Sequence, residues 1–342
     1  MYHPPLFLFP GRIFWVCAVD DHQPLARHGR MNHMSRQSRL RIGAGALALL
    51  AALALSGCGS DENAAPAGKV VSITIGSQGA IENEILAQVY GQALEAEGYA
   101  VSYNEGVGNR KAYIAGLQTG IVDLVPEYSS SLLGFFDSRS GLTTVEAMET
   151  AMPAFLKPLD LRVLSPSPAQ VSYAFVVRKD FAREHNLVNI GDLADVAAGI
   201  TFGGAPDFPD RSYGVSGLSR IYGVNDWKFL SYKSTSDADR ELIDGLLADD
   251  IQVAAIHTSA PAILDAGLVV LGDPQSMIAA QNVIPIVNKA SYTKRLKAIV
   301  DGVSLGLTTQ DLRGFNKLLA DEDHASAEVL AHNWLKTKGY LD

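Results

Sequence analysis

Cysteine is nearly absent: the 342-residue chain holds Cys17 and Cys58 and no other. No disulfide is therefore possible within residues 59–342, and no thiolate cluster is available for a metal. The eight histidines show neither an HxxxH nor an HExxH spacing, which argues against a zinc site. GxSxG occurs once, at Gly302–Gly306 within "KRLKAIVDGVSLGL", which reads as helix and not as a strand-to-helix nucleophile turn. The run "GVGNRK" at 106–111 lacks the third glycine of a dinucleotide-binding loop and reads as an ordinary strand-to-helix turn. Long apolar runs are missing too. Ile42–Leu55 spans 14 residues, short of the roughly 20 that cross a bilayer. Basic charge is scarce, with 28 Lys+Arg against 37 Asp+Glu.

What is present near the start is a leader. From Met34, Arg36, Arg39 and Arg41 form a basic head, Ile42–Leu55 an apolar segment, and Leu55-Ser56-Gly57 a small-residue cleavage region. Followed by Cys58, this resembles a bacterial lipobox, which implies that Cys58 is lipidated and becomes the mature N-terminus. Residues 1–33 read as neither signal nor domain, and translation is expected to start at Met34 or Met31. Residues 1–57 hold 6 Lys+Arg and 2 Asp+Glu, so residues 58–342 carry 22 against 35, a net charge of −13. Such a surface disfavours nucleic acid and anionic lipid as partners.

Residues 58–68, rich in small and polar residues, read as a tether. "VVSITIGS" alternates as a strand. In "AIENEILAQVYGQALEAEGY", Ile81, Ile85 and Val89 share a helical face with Leu86, Ala93 and Leu94. Glu82 and Glu84 sit in the first turn, and Gly98 closes the helix. "AVSYNEGVG", "NRKAYIAGLQTG" and "IVDLVPEY" continue as strand, helix and strand, so a parallel sheet with right-handed crossovers is expected. Proline lacks a donor N–H, so Pro126 is expected to stop this third strand. That would display Glu127, Tyr128 and Ser131 at the sheet's carboxyl edge, where ligands bind in open α/β sheets. "YAFVVRKD" opens a second α/β unit over roughly 174–272. "NVIPIVNKA" follows as a late strand, and the chain is mostly helical from Tyr292. Two lobes joined by two crossings are expected, with 69–172 and 273–342 in one and 173–272 in the other.

Little here performs catalysis. Asp207 and Asp210 in "PDFPD" lack a spaced third ligand and read as turn residues. His257 follows an apolar strand, a common place for a satisfied polar residue. Tyr128, Tyr173, Phe208 and Tyr213 allow two readings with Arg211. They cap the core edge beside a solvated arginine, or they line a binding cleft.

The segments "ITIGSQGAIENEILAQVYGQALEAEGYAV", "AGLQTGIVDLVPEYSSSLL", "SYAFVVRKD", "FPDRSYGVSGLSRIYGV" and "VLGDPQSMIAAQNVIPIV" occur in the order and spacing of one family. The chain resembles the substrate-binding proteins of ABC importers for glycine betaine, choline and related osmoprotectants, the actinobacterial ProX-type lipoproteins among them. The likeness covers nearly all of residues 70–342. It implies an α/β, two-lobed, type II periplasmic-binding-protein fold that closes on a ligand in the cleft. The family's usual ligand is a quaternary ammonium held against tyrosine faces, with any carboxylate held by arginine, lysine and hydroxyl groups.

Position by position, the resemblance implies that Tyr128, Ser131, Tyr173 and Arg211 bind ligand. Three further site positions depart from the family pattern. His257 stands in place of one cage tyrosine, Gln281 in place of another, and Gln78 in place of a frequent lysine. Each desolvated cation–π contact contributes up to about 2 kcal/mol, so losing two lowers affinity by roughly 30- to 1000-fold unless Phe208 or Tyr213 compensates.

The expectation is a membrane-anchored solute receptor, not an enzyme and without cofactor. It would capture glycine betaine, choline, carnitine or proline and dock on an ABC permease and its ATPase. A more polar or carboxylate-bearing solute is the alternative. A surface sensory lipoprotein or an anchored hydrolase are the rivals of another class.

Overall fold

The computed structural model describes residues 70–232, 238–320 and 325–342. The lipidation site expected at Cys58, with its leader and tether, lies outside them.

The first half builds as β1 (Ser72–Gly76), α1 (Ile81–Ala96), β2 (Ala100–Asn104), α2 (Arg110–Thr119), β3 (Leu124–Tyr128), α3 (Ser129–Phe136), α4 (Val145–Leu156) and β4 (Leu161–Val163). Gly98 takes a left-handed φ of 84° after α1, and the Tyr99 amide then returns to the Leu94 carbonyl at 3.1 Å. Asn109 caps α2 by accepting from the Ala112 amide at 3.2 Å. That places "GVGNRK" in a strand-to-helix turn, as its single capping asparagine favours.

A second series follows: β5 (Tyr173–Val177), α5 (Lys179–Glu184), β6 (Thr201–Gly204), α6 (Val215–Tyr222), β7 (Lys228–Ser231), α7 (Ala238–Leu247), β8 (Val253–His257), α8 (Ala262–Asp265) and β9 (Val269–Val270). The chain then returns through β10 (Val283–Asn288) and ends in α9 (Lys294–Gly306), α10 (Thr309–Leu319) and α11 (Ala327–Thr337).

Two five-stranded sheets result, in the orders β2-β1-β3-β10-β4 and β7-β6-β8-β5-β9. β1, β2 and β3 are parallel, as strand–helix alternation predicts. The returning β10 is antiparallel to both β3 and β4, so the sheet is mixed. In the second sheet β6 runs parallel to β7 and β8, while β5 is antiparallel to β8 and β9. Each sheet is covered on two faces. Ile73, Ile75, Leu124 and Val287 pack with α1, α9 and α11, whereas Val125, Ile284 and Ile286 pack with α2, α3 and α4. Phe175, Phe202 and Val253 face one side of the second sheet, and Val176, Ala254 and Ile256 the other. This is the two-lobed α/β architecture that the resemblance implies.

The expected stop at Pro126 is corrected. Pro126 lies inside β3, in register with Pro285 of β10. The Pro285 carbonyl accepts from Leu164 at 2.9 Å on the β4 side. The two prolines therefore face each other at a position that exchanges no ladder bonds. On the other side β1 pairs β3 only at Ile75 and Leu124, so the missing N–H of Pro126 deprives no acceptor. The strand continues through Glu127, which is fully buried rather than displayed.

The crossings are tied side by side. The Val171 amide donates to the Gln281 carbonyl at 3.0 Å. The Ser172 hydroxyl donates to the Ala279 carbonyl at 2.9 Å. Thr258, just past β8, donates its amide to the Ser172 carbonyl at 2.8 Å and its hydroxyl to the Gln170 carbonyl at 2.6 Å.

The turn carrying Arg211 depends on close backbone approach at Gly214. A Cβ there would lie 2.1 Å from the Phe208 carbonyl oxygen and 2.8 Å from that of Pro209. Gly214→Ala should therefore destabilise the protein by about 2–4 kcal/mol, read from denaturant unfolding. A loss below about 0.5 kcal/mol would show that the turn shifts without cost.

Candidate functional site

The expected site residues assemble in two groups, one on each sheet. The first lies at the end of β3 and the start of α3. Tyr128 closes β3 opposite Val283. Its hydroxyl donates to Glu82 Oε1 at 2.6 Å and to Asn83 Oδ1 at 3.0 Å, both in the first turns of α1. Burial and the adjacent Glu82 carboxylate hold its pKa well above that of a free phenol, so it remains a donor. Ser131 and Gln281, 150 residues apart, meet reciprocally. The Gln281 amide nitrogen donates to Ser131 Oγ at 2.6 Å, and the Ser131 backbone N–H donates to Gln281 Oε1 at 2.9 Å. Gln281 thus caps α3 from the returning chain, at a helix start whose own N-cap residue, Tyr128, provides no side-chain cap.

Gln78 donates to Glu127 Oε2 at 2.8 Å. The same carboxylate accepts from Arg110 Nε at 2.5 Å, and Arg110 Nε also reaches the Tyr113 hydroxyl at 3.0 Å. Burial, then the Glu127 charge, raises the Tyr113 pKa far above its usual value. Beneath Tyr128, then, lies a buried carboxylate whose charge is held by Arg110 of α2. Sequence reading missed Arg110, Glu82 and Asn83. Two acidic residues at the start of a helix look like dipole partners until the tertiary fold brings Tyr128 onto one of them.

The second group is aromatic. Tyr173 opens β5 in register with His257, which closes β8. Their ring centroids are 4.4 Å apart. Tyr213 also stacks on Tyr173, at 5.4 Å with an interplanar angle of 30°. Arg211, in the same turn as Tyr213, forms a half-exposed ion pair with Asp207. Burial pulls the Arg211 pKa down, but Asp207, Tyr213 and Tyr173 outweigh it and the net shift is upward. Of the two rings named as compensators, Tyr213 joins this group. Phe208 is buried among Phe175, Phe202, Trp227 and Phe229 and reaches the group only as packing behind Tyr213, at 6.2 Å between ring centroids. Position in the "FPDRSYG" loop alone could not separate them.

The groups are connected through α10. Asn316 donates to Glu82 Oε2 at 2.8 Å and to the Ser259 carbonyl at 3.1 Å. Arg313 Nε donates to the Thr258 carbonyl at 2.6 Å, and burial lowers its pKa. Thr258 and Ser259 directly follow His257. A hydrogen-bonded path therefore runs from the Tyr128 hydroxyl through Glu82 and Asn316 to the loop beyond His257.

A model of the substrate-binding domain of ABC-type glycine betaine transport systems matches residues 71–337. The glycine betaine-binding protein YehZ of Escherichia coli K12 is 24% identical over 321 residues, covering 88% of this chain and 98% of that protein. A glycine-betaine-binding protein of Pseudomonas aeruginosa is 25% identical over 287 residues, 79% of this chain and 89% of its own length. Among solved structures, a glycine betaine/carnitine/choline ABC transporter protein superposes with a TM-score of 0.69 at 18% identity. That superposition covers 79% of this chain and 100% of the other.

The Arg110–Glu127 pair makes its own prediction. Arg110→Met leaves a fully buried carboxylate without its cation and should cost about 3–5 kcal/mol of stability. Adding Glu127→Leu should recover part of that loss. Denaturant midpoints check both, and a single-variant cost below about 1 kcal/mol would remove the pair as the support beneath Tyr128.

Proposed function

The chain belongs to the family of substrate-binding domains of ABC-type glycine betaine transport systems, and on that premise we propose that it captures a quaternary ammonium solute bearing a carboxylate, glycine betaine foremost, between its two lobes. Members of this family bind solutes and are not enzymes. The lobes comprise residues 69–172 with 273–342, and residues 173–272. Closure of one on the other presents the loaded form to a permease and its ATPase. Lipidation at Cys58 holds the receptor at the extracytoplasmic face of the cell membrane.

The observation that carries this reading is the run of three rings, Tyr213, Tyr173 and His257, with centroids 5.4 and 4.4 Å apart and Arg211 beside them. Ring faces attract a desolvated ammonium that offers no N–H donors. A guanidinium takes the carboxylate at the other end. Tyr213 supplies a further tyrosine face where His257 and Gln281 stand in place of tyrosines. Tyr128 and Ser131 form the opposing wall. The Gln281 and Gln78 side-chain amides bond to Ser131 and Glu127, so both shape that wall through its hydroxyl and its buried charge. Closure is favoured by contacts that the ligand makes with both walls at once.

Calorimetric titration of the full chain with glycine betaine, choline, carnitine and proline tests the reading. Tyr173→Ala and Arg211→Ala should each weaken glycine betaine by about tenfold or more. Choline, which has no carboxylate, should respond to Tyr173→Ala and hardly to Arg211→Ala. Absence of binding for every quaternary ammonium at millimolar concentration would reject this ligand class.

A further inference from the structure

A concave site lies on the first sheet, away from the aromatic group. β4 is the edge strand there. Along it, between the end of α4 and the start of α9, runs a cavity of about 530 Å³, within the range of small-molecule sites. Leu161 pairs with Asn288 at the end of β10 opposite to Val283, the partner of Tyr128. The cavity therefore begins at the far end of the sheet from the Tyr128 wall.

Its charge runs against that of the protein. Lys157, Arg162, Lys289 and Lys297 line it, with Asp160 as the one lining carboxylate. Lys289 pairs with Asp160 at 2.9 Å, and Lys297 pairs with Asp301. No carboxylate of the described residues pairs with Lys157 or Arg162, which leaves two cations in excess. Residues 58–342 as a whole carry 22 basic and 35 acidic side chains, so this concentration is a local reversal of sign. The Arg162 guanidinium lies over the Tyr292 ring, 4.2 Å from its centroid. Stacking fixes its plane and leaves its N–H edge available to a planar or tetrahedral oxyanion. Its accessible apolar lining is Pro153, Val163 and the Tyr292 ring, over the buried Leu161 and Leu164. A fully hydrated inorganic ion gains nothing from such a lining; a ligand with an apolar body does.

We propose that the β4-edge cavity binds an organic oxyanion, a carboxylate or phosphate carried on an apolar body. Arg162 and Lys157 take the charged group, and the body covers Pro153, Val163 and the Tyr292 ring. This site is independent of the betaine reading and holds whether or not that reading does.

The full chain is titrated with octanoate, phenyl phosphate and inorganic phosphate, and sedimented with phosphatidylglycerol vesicles. Octanoate or phenyl phosphate should bind at least about tenfold more tightly than inorganic phosphate, in a salt-sensitive manner. Arg162→Gln and Lys157→Gln, both at exposed positions, should each weaken that binding by about tenfold. Glycine betaine affinity should not change in either variant. Vesicle binding that Arg162→Gln abolishes would place the apolar body in a lipid, whereas binding of the free anions alone would place it in a soluble molecule; both outcomes support the site. No binding of either organic anion or vesicle overturns it. So does inorganic phosphate binding as tightly as octanoate, and so does organic-anion binding that neither variant weakens.

Discussion

Thr258 is the residue on which the arrangement of the two sheets turns. Its amide bonds Ser172 and its hydroxyl bonds Gln170, which fixes the end of β8 against the outgoing chain. Tyr173 follows one residue later, and His257 stands one residue earlier. The ring contact between them is therefore set by backbone hydrogen bonds, not by the aromatic attraction itself, which contributes only about 0.5–1.5 kcal/mol. Arg313 adds a charge-assisted bond to the Thr258 carbonyl from the first sheet's side. A single threonine thus positions the Tyr173–His257 ring pair, a crossing and the bond from Arg313.

The first wall is built on a different principle. A carboxylate is buried completely at Glu127, which is costly unless its charge is met. Arg110 and Gln78 meet it. Tyr128 is in turn held through its hydroxyl by Glu82 and Asn83. Its hydroxyl is thus tied to α1, and its backbone to the strand that buries Glu127.

Much of the fold was legible in the chain because period and punctuation agree. Alternation gave β1, the 3.6-residue period gave α1, and Gly98 marked a boundary that the structure keeps. The misreadings share one cause. Pro126 and Glu127 were judged by local rules, while their fates depend on Pro285 and Arg110, one on a distant strand and the other on a neighbouring helix. Of the site, Tyr173 and His257 could be placed beside each other only once the antiparallel pairing of β5 with β8 was known. The reach of α10 to Glu82 and Ser259 has no local signature, since Asn316 is an unremarkable polar residue on an amphipathic helix.

The antiparallel return of β10 also sets an order of events at synthesis. All strands of the second sheet are present once Val270 has been made. The first sheet must wait, because among the described residues β4 has no neighbour but β10, and β10 ends at Asn288. Domains fold as units as the chain emerges, so the inserted lobe can close while its host still has an open edge at β3. The lobe encoded in the middle of the chain is complete before the lobe that surrounds it.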